Sequence, residues 1–254
     1  MPGAFGSDIA LRPIADNTRS TDMYTFAESP APDQKTLLQG VSIRAAFALD
    51  CQQINRNGPV TSHTLPARLL DVIERDILPL TEKGVAIGNK VFGAAILRKS
   101  DLSLVIAETN NELENPLWHG EVHTLKRFYE LGEKPDTKEL IFLSTHEPCT
   151  MCMSAITWAG FDNFYYFFSH EDSRDAFAIP HDLKILKEVF GLEPGGYRRK
   201  NAFWQAHAIA DLTEAQAEPQ RSELLAQADR IRAAYDRLSG TYQSGKDANA
   251  IPLR

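Results

Sequence analysis

The sequence predicts an α/β protein: a three-layer α/β/α sandwich around a mixed central sheet of about five strands, with extensions at both ends. Two observations carry that expectation. Short β-rich runs alternate with segments of helical period in the order ββαβαβα. Two of the helical segments also begin with side chains of the kind that hold metal, each placed after a strand.

Taken in order, residues 1 to 36 are rich in Pro, Ser, Asp and Ala without a sustained period, and read as an extended or poorly ordered arm. Mixed apolar spacing over about 37 to 50 suggests a helix. A clearer helix is "LPARLLDVIERDILPLTEKG", with Leu69, Leu70, Val72, Ile73 and Ile77 on one stripe. "VFGAAILRK" and "SLVIAET" form an expected hairpin. After the polar loop "NNELENPLW", a helix should begin near His119 and turn Val122, Leu125, Phe128 and Tyr129 inward. "ELIFLST" is continuously apolar, as a central strand is.

"PCTMCMSAITWAG" reads as a helix starting at or just after Pro148. "NFYYFFS" is a further strand, "DLKILKEVFG" a helix ending at Gly191, and "NAFWQAHAIADL" a strand or helix. The main domain is expected over 37–212. Residues 213–254 then form a C-terminal helix and tail, with Leu224, Leu225, Ala228, Ile231, Ala234, Tyr235 and Leu238 on one face for docking on the body or on a second subunit.

Composition narrows the class. At 254 residues, 43% hydrophobic and 24% charged, the chain is an ordinary globular one. No apolar run approaches the roughly 18–20 residues that span a bilayer, so no membrane partner is expected. The first twenty residues lack a basic segment followed by a long apolar one, which makes cytoplasmic the default. A net charge of −7 argues against a chain whose main business is gripping nucleic acid. The basic patch "YRRKN" at 197–201 reads as a solvated loop. Three cysteines, two of them in one C-x-x-C, fit a metal site rather than a disulfide framework, and Cys51 reads as a buried or idle thiol.

A catalytic zinc wants three His or Cys ligands and an open position for water. Cys149 and Cys152 are spaced to turn both sulfurs toward one ion from the first turn of a helix, whose N-terminus favours thiolates. His119 opens the other helix, and Glu121 lies two residues on, able to reach the water without coordinating. The rival third ligand is His123, at i, i+4 from His119. With it, the metal would lie along the helix flank and Glu121 off that face, so His123 reads instead as a pocket residue or one bonded to a neighbouring loop. "HGE", then "PCTMC" starting about 27 residues after Glu121, matches the H-x-E…P-C-x-x-C pattern of zinc deaminases.

These residues resemble the cytidine deaminase-like superfamily, in particular its branch of guanine, cytosine and tRNA adenosine deaminases. "VFGAAIL" is similar to that branch's "fGAvIv", "NPLWHGEV" to "DPTAHAEV", and "STHEPCTMCMSAITWAGF" to "s.EPCpMCmgAi.wagi", over roughly residues 65 to 192. The resemblance implies His119, Cys149 and Cys152 as Zn2+ ligands and Glu121 as proton shuttle. It implies a substrate contact from Asn110, or from Asn111, because the loop to His119 is about two residues shorter than in the relatives. Backbone groups at Ala94 or its neighbours would meet the ring, and the backbone from Thr145 through His146 to Glu147 would face the leaving amine, with Glu147 a structural carboxylate. Trp118 replaces a small residue, and would floor the pocket or sit in the core. Asp182 is a candidate acidic contact by its spacing alone.

The function implied is zinc-dependent hydrolytic deamination of an amino-substituted nucleobase, nucleoside or related N-heterocycle. The implied partners are a small-molecule base or nucleoside and a second copy in a homodimer. The enzymatic rival, tRNA adenosine-to-inosine deamination, would call for a basic face around the pocket. A reading from another class, a non-catalytic zinc-containing scaffold, is opposed by Glu121 standing beside a three-ligand set.

Overall fold

The computed structural model describes residues 64–193 and 196–253. The expected N-terminal arm, the helix over 37–50 and Cys51 lie outside the described residues. The first described helix, α1, runs Leu65–Val72; a π-helical turn over Ile73–Ile77 joins it to α2, Leu78–Ala86. The sequence stripe is real: Leu69, Leu70, Val72, Ile73 and Ile77 are fully buried. The helix is not uniform, however, because Pro79 has no N–H to give to the carbonyl four residues back. The ladder slips one residue, with the Leu78 N–H donating to the Ile73 carbonyl, five back.

Strands β1 (Gly93–Arg98) and β2 (Leu104–Thr109) form the expected hairpin. The sheet continues with β3 (Leu140–His146), β4 (Asn163–Phe168) and β5 (Gln205–Ala208), in the order β2-β1-β3-β4-β5. β1 is antiparallel to both neighbours, whereas β3, β4 and β5 run parallel. The sheet is therefore mixed and five-stranded. The segment that read as strand or helix is both, β5 followed by α7 (Ile209–Glu214).

Alternation along β1 sorts the layers. Ala95 and Leu97 enter one cluster with α1, α2 and the long C-terminal helix α8 (Gln220–Gly245). Ala94 and Ile96 enter the other, with α3 (Gly120–Tyr129) and α4 (Thr150–Trp158). Two further helices, α5 (His170–Asp175) and α6 (His181–Phe190), follow β4, and α6 ends at Gly191 in the left-handed conformation, φ 65°. Helix α8 buries Leu224, Ile231, Ala234 and Tyr235 against the body, while Leu225 falls off that face.

On α3 the inward face differs from the one expected. Gly120, Glu121, Thr124, Leu125 and Phe128 are buried, whereas Val122 is only half-buried and Tyr129 is exposed, its hydroxyl donating to the Ala159 carbonyl. The buried set follows i, i+4 and i+8 from Gly120, so where the helix starts fixes its face. That start is a close approach: a Cβ on Gly120 would come within 2.7 Å of the Gly93 Cα, so helix and strand backbones touch with no side chain between them. Among the described residues no helix is long and apolar enough to cross a membrane.

Candidate metal and catalytic site

Strand pairing assembles the site at one end of the sheet. Gly93 at the start of β1 faces Thr109 at the end of β2, and Ala94 faces Ser144 near the end of β3. Residues following β2 and β3 therefore emerge beside the start of β1. Asn110 comes directly after β2, and α4 begins shortly after β3. Thr145 fastens this end, taking the Gly93 N–H at 2.9 Å and donating to the Gly93 carbonyl at 3.0 Å.

His119 is the N-cap of α3 in an extended conformation, and its imidazole makes no cap bond. Cys149 is the N-cap of α4, its sulfur accepting from the Cys152 N–H at 3.5 Å. The three ligand atoms lie together: Cys149 Sγ to Cys152 Sγ 3.5 Å, and His119 Nδ1 to the two sulfurs 3.6 and 3.7 Å. With Zn–S about 2.3 Å and Zn–N about 2.0 Å, a tetrahedral zinc spreads such ligands roughly 3.5–3.8 Å apart. The donor set and its spacing fit that ion.

The charges agree with the donor chemistry. The Cys152 thiol, then His119 and last the Cys152 amide, hold the Cys149 thiol well below the ordinary thiol range against the opposing effect of burial. Burial, and then the neighbouring Cys149, push Cys152 up. Burial works against a charged His119, but its contact with Cys149 prevails and raises it to about 9. Two thiolates side by side in a buried site need a cation, which is what a divalent metal supplies.

Glu121 sits in the first turn of α3, buried, with Oε1 accepting from the Ser144 hydroxyl at 2.9 Å and Oε2 3.4 Å from Cys152 Sγ. Burial, and then Cys149, raise its carboxyl above the ordinary range. Asp182, at the start of α6, is pushed up to about 8 by burial and then by Cys149, and feels His119 and Glu121 as well, which puts it within electrostatic reach of the cluster.

The other expected site residues take varied positions. Asn110 is buried, its amide NH2 donating to Glu112 and its carbonyl oxygen without a partner among the described residues. Asn111 is bonded to Glu114 on the exposed side. Ala94 is buried in β1, and its carbonyl takes the Thr124 hydroxyl at 3.3 Å. Trp118 is neither in the core nor among the ligands: its half-buried ring stacks on His123 at 5.8 Å, with the Lys126 ammonium 4.9 Å from its centroid, both on α3. Turn bonds cause this, since the Trp118 N–H reaches the Asn115 carbonyl and its own carbonyl takes the Asn111 N–H, folding the loop back onto the helix flank.

His123 lies 2.8 Å from the Thr109 carbonyl through Nδ1, as a histidine tied to a neighbouring element rather than a ligand. His146 turns its ring into an aromatic cluster of Phe92, Phe168, Phe177 and Tyr235. Glu147 accepts from the His170 N–H and the Tyr197 hydroxyl, and Arg199 reaches the same oxygen at 3.5 Å, which is the work of a structural carboxylate.

Sequence reasoning passed over Ser144, which holds Glu121, and the buried pair Lys90 and Glu112. Glu112 takes Lys90 at 2.9 Å on Oε1, and that oxygen faces His119 Nε2 at 3.5 Å. The available signal was a glutamate directly after "NN" in a loop otherwise read as polar filler.

Residues 75–168 match the family model described as the cytidine and deoxycytidylate deaminase zinc-binding region. A guanine deaminase of Bacillus subtilis (strain 168) is 30% identical over 101 residues, covering 39% of this chain and 62% of that protein's length. Among solved structures, a guanine deaminase from Nitrosomonas europaea is similar at 18% identity, with 70% of this chain and 89% of that one covered and a TM-score of 0.40. A tRNA:A34 deaminase structure is similar at 17% identity over 52% of this chain and 92% of that one, TM-score 0.38.

Proposed function

We propose that this chain, whose residues 75–168 match the cytidine and deoxycytidylate deaminase zinc-binding region, is a zinc-dependent hydrolytic deaminase acting on an amino-substituted nucleobase, nucleoside or related N-heterocycle. The observation that carries the proposal is the triangle of His119, Cys149 and Cys152 ligand atoms, spaced for zinc, with the buried Glu121 carboxylate against one edge. A purely structural site would close with a fourth ligand. Here the neighbouring group is a carboxylate held by Ser144.

His119, Cys149 and Cys152 would hold the zinc, which when bound would supply an acidified water. Glu121 Oε2 would take a proton from the attacking water as its oxygen bonds to the amino-bearing carbon, and would return it to the amine as the C–N bond breaks and ammonia leaves. A raised carboxyl suits this work, because the group must both accept and give the proton. Ser144 keeps Oε1 occupied, so the working oxygen faces the ligands. Asn110 and Asp182 are the proposed contacts to the heterocycle, the first through its unpartnered carbonyl. A net charge of −7 favours a small-molecule substrate over RNA.

The test is zinc content together with ammonia release over guanine, cytosine, adenine, pterins and the corresponding nucleosides. Glu121→Gln should bind zinc and lose roughly 10²–10⁴-fold in turnover, the usual contribution of a positioned acid–base group. Full activity in that variant would sink the mechanism, and a zinc-loaded protein inert on the whole panel would favour a scaffold.

A further inference from the structure

We propose that Glu112 is a positioning residue that decides which end of the Asn110 amide meets the substrate, and that it supports the ligand His119 from behind. The idea deepens the deaminase reading and rests on it for the substrate's part. It starts from a buried charge: Glu112 and Lys90 are each 4% exposed, and Lys90 Nζ lies 2.9 Å from Glu112 Oε1. A pair this deeply placed is costly unless its remaining lone pairs are used. Oε2 is used by the Asn110 NH2.

A carboxylate paired with an ammonium is acceptor-only, so only the NH2 end of an amide can face it. The Asn110 carbonyl must then point the other way, and it is buried with no partner among the described residues. Leaving such an oxygen unpaired costs on the order of 1–3 kcal/mol, which a ligand donating an N–H would recover. Glu112 therefore selects heterocycles that present a ring N–H at this point over those that present a bare ring nitrogen. Meanwhile Oε1 faces His119 Nε2 at 3.5 Å, long for a hydrogen bond but within charge-pair range. A carboxylate behind that nitrogen favours the proton there and leaves Nδ1, the atom beside the sulfurs, free to ligate.

The test compares the full-length protein with Glu112→Gln, and with Lys90→Met/Glu112→Gln, which removes both buried charges should the single variant fold poorly. Two readouts need no substrate. Zinc affinity, measured by chelator competition, should fall about 10–100-fold, the usual cost of removing a ligand's supporting partner. The Asn110 side-chain amide protons should be protected from exchange and shifted by the carboxylate in 1H–15N spectra of the parent, and should lose both properties in the variants. For any base that the parent deaminates, KM should rise at least tenfold with a smaller change in kcat, because the glutamine NH2 can occupy the Asn110 carbonyl. Unchanged zinc affinity and an unchanged amide signal would overturn the proposal. If the parent deaminates nothing on the panel, the deaminase reading fails, while these two measurements still decide the role of Glu112.

Discussion

Ser144 and His146 stand two residues apart on β3, yet they belong to opposite chemical worlds. Ser144 supports Glu121 beside two sulfurs and a histidine. His146 has an imidazole like that of His119, but its ring is enclosed by Phe92, Phe168, Phe177 and Tyr235. Burial alone holds His146 down to about 3, whereas His119, also largely enclosed, is raised to about 9 because a thiol of low pKa lies against it. Burial by itself does not make a site. A compensating charge does, and at His119 the charges come from two helix N-termini brought to one sheet end.

The sharpest way to break this contrast is to remove a ligand. Cys152→Ser takes one corner from the triangle while leaving the helix cap at Cys149 in place. Zinc affinity should fall by more than about 100-fold, beyond what the loss of a merely supporting partner costs, and ammonia release should fall with it. Retention of stoichiometric zinc after dialysis against a chelator would show that the ion sits elsewhere.

The aromatic side is tested by pH. Folded, His146 is held to about 3, while the unfolded value is about 6.5. As pH falls below 6.5 the unfolded chain therefore takes up a proton that the folded chain refuses. The stability is intact above 6.5 and drains away as pH falls toward 3, by about 2 kcal/mol between pH 7.5 and pH 5. Urea denaturation of the parent and of His146→Leu at those two pH values isolates this share, because the other titrating groups are common to both. Equal losses in the two proteins would mean that His146 is not held neutral.

These two histidines also show how far the sequence could be read. The succession of strands along the chain and the starts of α3 and α4 were legible because period and capping are local, and H-x-E with P-C-x-x-C is a local signature of a site assembled from two segments. For His146 the expectation concerns the backbone beside Glu147; the direction of its ring has no local signal, because the ring turns into a cluster that Phe177 and Tyr235 bring from far along the chain. The place of Trp118 is illegible for a related reason. Its position depends on turn bonds within 111–118 that fold it onto the flank of α3, and no periodicity reports such bonds. Lys90 and Glu112 were invisible because a buried ion pair looks, in sequence, like two ordinary surface charges.

The smallest expected effect probes the junction between the two regions. The Ser144 hydroxyl has one proton and two acceptors within reach, Glu121 Oε1 at 2.9 Å and the His146 carbonyl at 2.6 Å. When Glu121 is a carboxylate, Ser144 donates to it. When Glu121 carries the proton on Oε2, Oε1 is left a weaker, uncharged acceptor, and the hydroxyl can turn to the His146 carbonyl. Both states of the shuttle are then satisfied without moving a heavy atom. Ser144→Ala removes a hydrogen bond worth about 1–1.5 kcal/mol, so kcat should fall about tenfold with zinc content unchanged. Because the lost bond serves the charged and neutral forms differently, the pH profile of kcat should shift as well. A variant with the parent's kcat and profile would show that Glu121 is held in working position by the α3 backbone alone.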